Sequence, residues 1–225
     1  MMPNSVKAVL FDLDGTLVDT APDFVDVVNQ LRRAQQLPEL PYDTIRRQVS
    51  QGGRVLTELA YDMTQDHPDF EDNYQTLLSL YSKQLSQKSG LFPLMDVLID
   101  LLDEKNIAWG VVTNKPSLYT FPLLRDLKLE NRCAAIICPD HVKNRKPDPE
   151  GLLLACSQIG CAPNQMIYVG DDKRDVDAGK SAGALRTVAA GFGYIDEQDN
   201  PLNWDADFCA DTVKDFILWL SPILE

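Results

Sequence analysis

Four short apolar runs, at 108–113, 134–138, 165–170 and 185–190, alternate with helical patterns at 94–105, 116–127, 149–159 and 172–182. Apolar runs of this length, bounded by turn residues, read as buried strands, and apolar residues three and four apart read as amphipathic helices. Strands alternating with helices imply a parallel sheet covered on both faces. One more apolar run, Val9-Leu10-Phe11, stands apart near the amino end. Between it and the rest lies a stretch of helical spacing only. Phe24, Val27, Val28 and Leu31 mark one helix. Val55, Leu56, Leu59 and Ala60 mark another, and Tyr74, Leu77, Leu78, Tyr81 and Leu85 a third. A further short helix is expected at 42–50, and a last one at 212–220. No strand is expected within 18–91. The fold class is therefore α/β: a doubly wound parallel sheet formed by 1–17 and 92–225, with an inserted α-helical cap formed by 18–91. Two chain crossings, near 18–21 and 90–93, would act as a paired hinge.

Ligands of doubly wound sheets gather at the carboxyl ends of the strands. Residues that can carry chemistry follow the expected strands at those ends. Asp12 and Asp14 come after the first, with Gly15 to turn the chain. Thr113 and Asn114 come after the second, and Asp171 and Asp172 after the fourth. A carboxylate at the end of a buried strand has lost solvation and needs a partner. Two acids beside a glycine turn can share one hard cation, which leaves one of them able to attack an electrophile. Thr113 offers a hydroxyl and Asn114 an amide to an oxyanion. Each signal alone has a plainer reading. Asp14-Gly15 reads as a turn, Thr113 and Asp172 as helix caps, and Lys146 as a solvated lysine.

Composition narrows the partners. The formal charge of −13 over 225 residues disfavours nucleic acid and anionic membrane. An anionic substrate would then need a bound cation and a few local positive charges. No apolar run approaches the length of a membrane span, and the first thirty residues lack the pattern of a signal peptide. Cys133, Cys138, Cys156, Cys161 and Cys209 form an odd set without a Cys-x-x-Cys motif. They are expected to be free thiols in a reduced cytoplasm. His67 and His141 are too few for a histidine-rich metal site.

The run Phe11-Asp12-Leu13-Asp14-Gly15-Thr16-Leu17-Val18-Asp19-Thr20 resembles the first signature of the haloacid dehalogenase (HAD) superfamily, in its phosphatase form. Val112-Thr113-Asn114-Lys115-Pro116 resembles the second signature, and Lys146-Pro147 before a helix resembles the third. Val169-Gly170-Asp171-Asp172 with Asp175 resembles the fourth. Four signatures in order, each after an expected strand, make a specific match. The resemblance implies a HAD-like Rossmannoid core with the cap over the site. It makes Asp12 the nucleophile that becomes an aspartyl-phosphate, and Asp14 the general acid and base. Thr113 and Asn114 would bind phosphate. Lys146 would neutralise Asp12 and the transferring group, with Arg145 beside it as a surface cation. Mg²⁺ would bind Asp12, the backbone carbonyl of Asp14, and Asp171. Asp175 would hold the metal's water shell or orient Lys146, and Asp172 would be an outer ligand or a helix cap.

The partner implied is a small phosphorylated metabolite, and nothing in the sequence speaks to oligomeric state. A second acid at Asp14 favours phosphoester chemistry over dehalogenation. In the cap, Gly52 and Gly53 would let the backbone approach a ligand, and Arg54 would pair with a substrate carboxylate. The longer phrases Trp109–Pro116, Cys138-Pro-Asp-His-Val142, Gly193-Tyr-Ile195 and Asp199-Asn-Pro201 resemble the branch acting on N-acetylmuramic acid 6-phosphate, in cell-wall recycling. The alternatives are 2-phosphoglycolate hydrolysis and a sugar-phosphate-binding regulator without turnover.

Overall fold

A computed structural model describes residues 5–224. The chain opens with β1 (Ala8–Phe11) and passes through the short β2 (Val18–Asp19) into four helices. These are α1 (Ala21–Ala34), α2 (Tyr42–Arg46), α3 (Gly53–Tyr61) and α4 (Phe70–Gln84), with a 3-10 turn at Val49–Gln51. It returns through β3 (Gly90–Leu91). Then follow α5 (Met95–Glu104), β4 (Ala108–Val112), α6 (Ser117–Asp126), β5 (Ala135–Ile137) and α7 (Glu150–Ile159). The chain ends with β6 (Met166–Gly170), α8 (Lys173–Ala182), β7 (Arg186–Ala190), β8 (Phe208–Ala210) and α9 (Val213–Leu220).

The main sheet has six parallel strands in the order β5-β4-β1-β6-β7-β8. Strand β1 is central because every one of its side chains is apolar and buried. Alternation along it divides the core in two. Val9 and Phe11 join Leu98, Leu102 and Phe216 on one face, under α5 and α9. Leu10 joins Leu152, Tyr168 and Ala178 on the other, under α7 and α8. The strand order reverses between β1 and β6, so the carboxyl ends of those two strands form the crevice where ligands of such sheets bind.

Two differences from the sequence reading concern strands. Residues 18–91 do contain strand structure: β2 and β3 pair antiparallel, Val18 with Leu91 and Asp19 with Gly90. This two-stranded ribbon joins the helical insert to the core. The sheet also has a strand not expected from sequence, β8, which pairs with β7. Both cases involve elements of two or three residues, too short to show a period. Within the insert, Phe24, Val27, Val28, Leu31, Leu56, Ala60, Leu77 and Tyr81 are buried together, Leu78 packs partly buried against them, and Phe24, Tyr74, Leu78 and Tyr81 line the cleft. Among the described residues no helix is long and apolar enough to cross a membrane. All five cysteines are unpaired.

Candidate active site

The carboxyl end of β1 delivers Asp12, whose backbone N–H still donates to Val169 at 2.9 Å, as if extending the sheet. Its side chain leaves the ladder, and Oδ1 accepts the N–H of Leu13 at 2.7 Å. Gly15 has φ +77°, and a Cβ there would lie 2.0 Å from Asp171 Oδ2. The β1 turn therefore packs directly on the β6 turn, and only glycine fits between them.

Lys146 is buried against three oxygens: Asp12 Oδ1 at 2.9 Å, Asp175 Oδ1 at 2.7 Å and Tyr168 Oη at 2.9 Å. Burial alone would lower its pKa, but the charges of Asp12 and Asp175 outweigh burial and hold it above the ordinary lysine value. Asp175 is fully buried in α8 and also accepts the backbone N–H of Asp172 at 3.2 Å. Burial raises its pKa, and the Lys146 ammonium opposes that rise.

Asp171 completes a cluster. Asp12, Asp171 and Asp175 are all buried, and each offers a carboxylate oxygen within 4.8 Å of the others. Asp171 accepts hydrogen bonds from Tyr194 N and Ser50 Oγ, both at 2.9 Å. Burial, then the charges of Asp12 and Asp175, push its pKa up to about 8. Three buried carboxylates face one ammonium, so the cluster carries surplus negative charge. An oxygen-only donor set with surplus negative charge fits a hard divalent cation.

The remaining residues named from sequence divide by role. Thr113 is buried at the end of β4 and lines the cleft, with Oγ1 accepting the N–H of Lys115 at 3.1 Å. Asn114 also lines the cleft, but its amide is engaged at both ends by the backbone of Lys146, each bond 3.1 Å long. It thereby ties the β4 loop to the Lys146 loop. Asp172 caps α8 by accepting the N–H of Arg174 at 2.9 Å. The carboxylate of Asp14 is engaged by Lys115 and Thr20 and stands outside the three-carboxylate cluster.

Above these residues the cap encloses a cleft of about 540 Å³, floored by Asp12, Thr113 and Lys146. Gly52, at φ +92°, together with Gly53 and Arg54, forms part of its cap side. Arg54 lies over the rings of Phe70 and Tyr74 and pairs with Glu71 at 3.1 Å. It lines the cleft, but its charge is already partnered. Arg145 and Arg174 bring two more guanidinium groups to the lining. Tyr74, Leu78 and Tyr119 supply an apolar wall.

The family model for haloacid dehalogenase-like hydrolases matches residues 9–190, which span the four loops that carry Asp12, Thr113, Lys146 and Asp171. The chain belongs to this family. It is 43% identical to the N-acetylmuramic acid 6-phosphate phosphatase of Pseudomonas putida over 206 residues, covering 92% of each chain. It is 39% identical to a phosphoglycolate phosphatase of Xanthomonas campestris pv. campestris, covering 89% of this chain and 90% of that one. Among solved structures, a predicted phosphoglycolate phosphatase from Haemophilus somnus superposes with a TM-score of 0.83 at 25% identity. That match covers 97% of this chain and 99% of the other.

In this HAD hydrolase the fold also makes contacts at the site that the sequence did not specify. Ser50 reaches from the cap to Asp171, and Gln51 donates to Asp172 at 3.2 Å. Arg174 bonds the Ser50 carbonyl across the same gap and pairs with Asp172 at 3.2 Å. Lys115 sits inside a signature but is otherwise an unremarked cation, and its partners come from three distant segments. No local pattern announces such contacts.

Proposed function

We propose that this hydrolase is a Mg²⁺-dependent phosphomonoesterase that acts through an aspartyl-phosphate on Asp12, with N-acetylmuramic acid 6-phosphate as its preferred substrate. The observation that carries the reading is Asp12 at the floor of the cap-covered cleft, paired with Lys146 at 2.9 Å and grouped with Asp171 and Asp175. A nucleophile, a counter-charge and a set of metal-fitting oxygens share one spot, as phosphoryl transfer requires.

Asp12 and Asp171 would hold the cation, with the backbone carbonyl of Asp14. When bound, Mg²⁺ offsets the carboxylate charge and polarises the phosphoryl group. A carboxylate oxygen of Asp12 attacks phosphorus, and the bond to the ester oxygen breaks. Asp14 gives its proton to the departing alkoxide. Thr113 donates to an equatorial oxygen, and Lys146 offsets the charge that builds on the phosphoryl group. Asp14 then takes a proton from water as the water attacks the aspartyl-phosphate. Inorganic phosphate leaves, and Asp12 is restored. The cap excludes bulk water while the phosphoaspartate exists.

Cleft size and the Pseudomonas relative support the substrate choice. A volume of about 540 Å³ is ample for a sugar ring with its lactyl and N-acetyl groups, since sites for whole small molecules span roughly 300–1,000 Å³. It is more than a two-carbon ester fills. Tyr74 and Tyr119 line the cleft where a sugar ring would sit, and Arg145 brings a guanidinium to the lining for a carboxylate. The Xanthomonas relative favours 2-phosphoglycolate as the second reading. A regulator without turnover is disfavoured, since each position the reaction needs is filled.

Phosphate release from both esters by one preparation, with Mg²⁺ and with EDTA, tests the proposal. The expected result is a specificity constant at least tenfold higher for the muramic acid ester, with turnover only when Mg²⁺ is present. A tenfold preference for 2-phosphoglycolate would reverse the substrate choice. No turnover of any phosphomonoester, p-nitrophenyl phosphate included, would refute the enzyme.

A further inference from the structure

Asp14 is held by more than its own loop. Its Oδ1 accepts hydrogen bonds from Thr20 Oγ1 at 2.6 Å and from Lys115 Nζ at 2.9 Å, and Lys115 also reaches Oδ2 at 3.3 Å. Lys115 is itself buried. An ammonium shut away from water needs a counter-charge and acceptors for its N–H groups. Asp14 supplies the charge, and Tyr81 Oη accepts a further bond at 2.8 Å. The edges of two aromatic rings border it. The nitrogen lies 5.0 Å from the ring centroid of Phe24 and 4.8 Å from that of Tyr81, on the hydroxyl side of the Tyr81 ring. Those rings stack on one another, 4.0 Å apart and 9° from parallel.

The four residues come from two parts of the fold. Asp14 and Lys115 follow core strands, whereas Phe24 lies in α1 and Tyr81 in α4, both in the cap. The seat of the ammonium is therefore made by the cap, and the carboxylate it holds belongs to the core. Both short bonds go to Oδ1, which leaves Oδ2 the freer oxygen for proton transfer.

We propose that Lys115 is a positioning residue for Asp14. Seated by Phe24 and Tyr81, it sets the direction of the carboxylate that protonates the leaving group and then draws the proton from water. Displacement of the cap would unseat the ammonium and release Asp14, so acid–base assistance operates only with the cap in place. The inference rests on the phosphatase reading above, with Asp14 as acid and base. Two other roles compete. Lys115 lines the cleft and would raise KM on removal if it bound the substrate phosphate. It would weaken the fold generally if it served only to fasten cap to core.

A double-mutant cycle separates these roles. The substrate is whichever of N-acetylmuramic acid 6-phosphate and 2-phosphoglycolate the wild type turns over faster. Lys115→Met keeps the apolar stem and removes the charge. It is expected to lower kcat about 100-fold, in the range of lost acid–base assistance, with KM changed less than threefold. In an Asp14→Asn background the same change is expected to cost less than threefold, because an effect exerted through Asp14 has nothing left to act on. The pre-steady-state burst with p-nitrophenyl phosphate, whose leaving group needs no proton, should slow less than threefold. Tyr81→Phe keeps the stacked ring and removes only the hydroxyl. It should show a smaller kcat loss that likewise disappears with Asp14→Asn, and it carries the cycle if Lys115→Met does not fold. Equal losses in both backgrounds, or a raised KM with kcat preserved, would overturn the proposal. Full alkyl-ester turnover by Asp14→Asn alone would instead overturn the assignment of the acid, before any Lys115 variant is compared.

Discussion

Asp171→Asn is expected to stabilise the metal-free protein while removing its affinity for the cation. The Asp171 carboxyl is only 2% exposed. Burial, then Asp12 and Asp175, move its pKa from 3.8 to about 8. Between those values the folded chain holds a proton that the unfolded chain releases. Stability therefore falls as pH rises through that window and levels off above it. At pH 7 a shift of this size corresponds to about 4 kcal/mol. Relaxation of the site and residual structure in the unfolded chain reduce the measurable part to roughly 2–4 kcal/mol. An asparagine has no charge to bury, and its amide oxygen can still accept the Tyr194 N–H and the Ser50 hydroxyl, both at 2.9 Å in the wild type. The melting temperature in EDTA at pH 8 should rise by roughly 4–16 °C, on a scale of about 2–4 °C per kcal/mol for a chain of this size. The gain should shrink steadily towards pH 4. Added Mg²⁺ should reverse the ranking, because ligand binding stabilises only a protein that retains the site. Thermal melts from pH 5 to 9, in EDTA and in excess Mg²⁺, test all three points. A variant less stable than wild type in EDTA at pH 8, or a gain flat across pH, would refute the reasoning.

Asp12→Asn should lower kcat by at least about a thousandfold, the scale of a lost nucleophile, with an unchanged circular dichroism spectrum; activity within tenfold of wild type would sink its role. EDTA should abolish turnover, and Ca²⁺ should inhibit in competition with Mg²⁺, since it takes more and longer oxygen contacts; steady-state assays across both ions will tell. Asp172→Ala removes the cap of α8 and should cost about 1 kcal/mol of stability, read by denaturant titration, while kcat changes less than fivefold. A larger kcat loss would mean that Asp172 serves the metal after all.

Much of this molecule was legible because its signals are local. A buried strand needs a continuous apolar run, so Ala8–Phe11 and Met166–Gly170 stood out from their neighbours. Parallel strands demand crossovers, and the helical spacing between them supplied those. Asp12, Thr113 and Asp171 sit one residue past their strands, so a strand pattern alone located the rim of the site. The ribbon of β2 and β3 was missed for the opposite reason. Val18 and Leu91 pair with partners far away in sequence, and two residues carry no period.

The site shows the same division. The order and spacing of the acids, and hence the family and the kind of chemistry, were already determined by the amino-acid sequence, because a motif is a statement about neighbours along the chain. Which oxygen each acid faces was not. Asp175 became the partner of Lys146 only when α8 packed beneath β6. Of the two roles open to Asp172 by sequence, helix cap and outer metal ligand, the fold displays the cap. Arg54, expected from sequence to pair with a substrate carboxylate, acquired Glu71 as a partner. Lys115 acquired its meaning from Asp14, Phe24 and Tyr81 together. Only the tertiary structure decided these matters, because burial and electrostatic environment depend on groups brought close in space, and a carboxylate's pKa changes with its neighbours while its place in the chain does not.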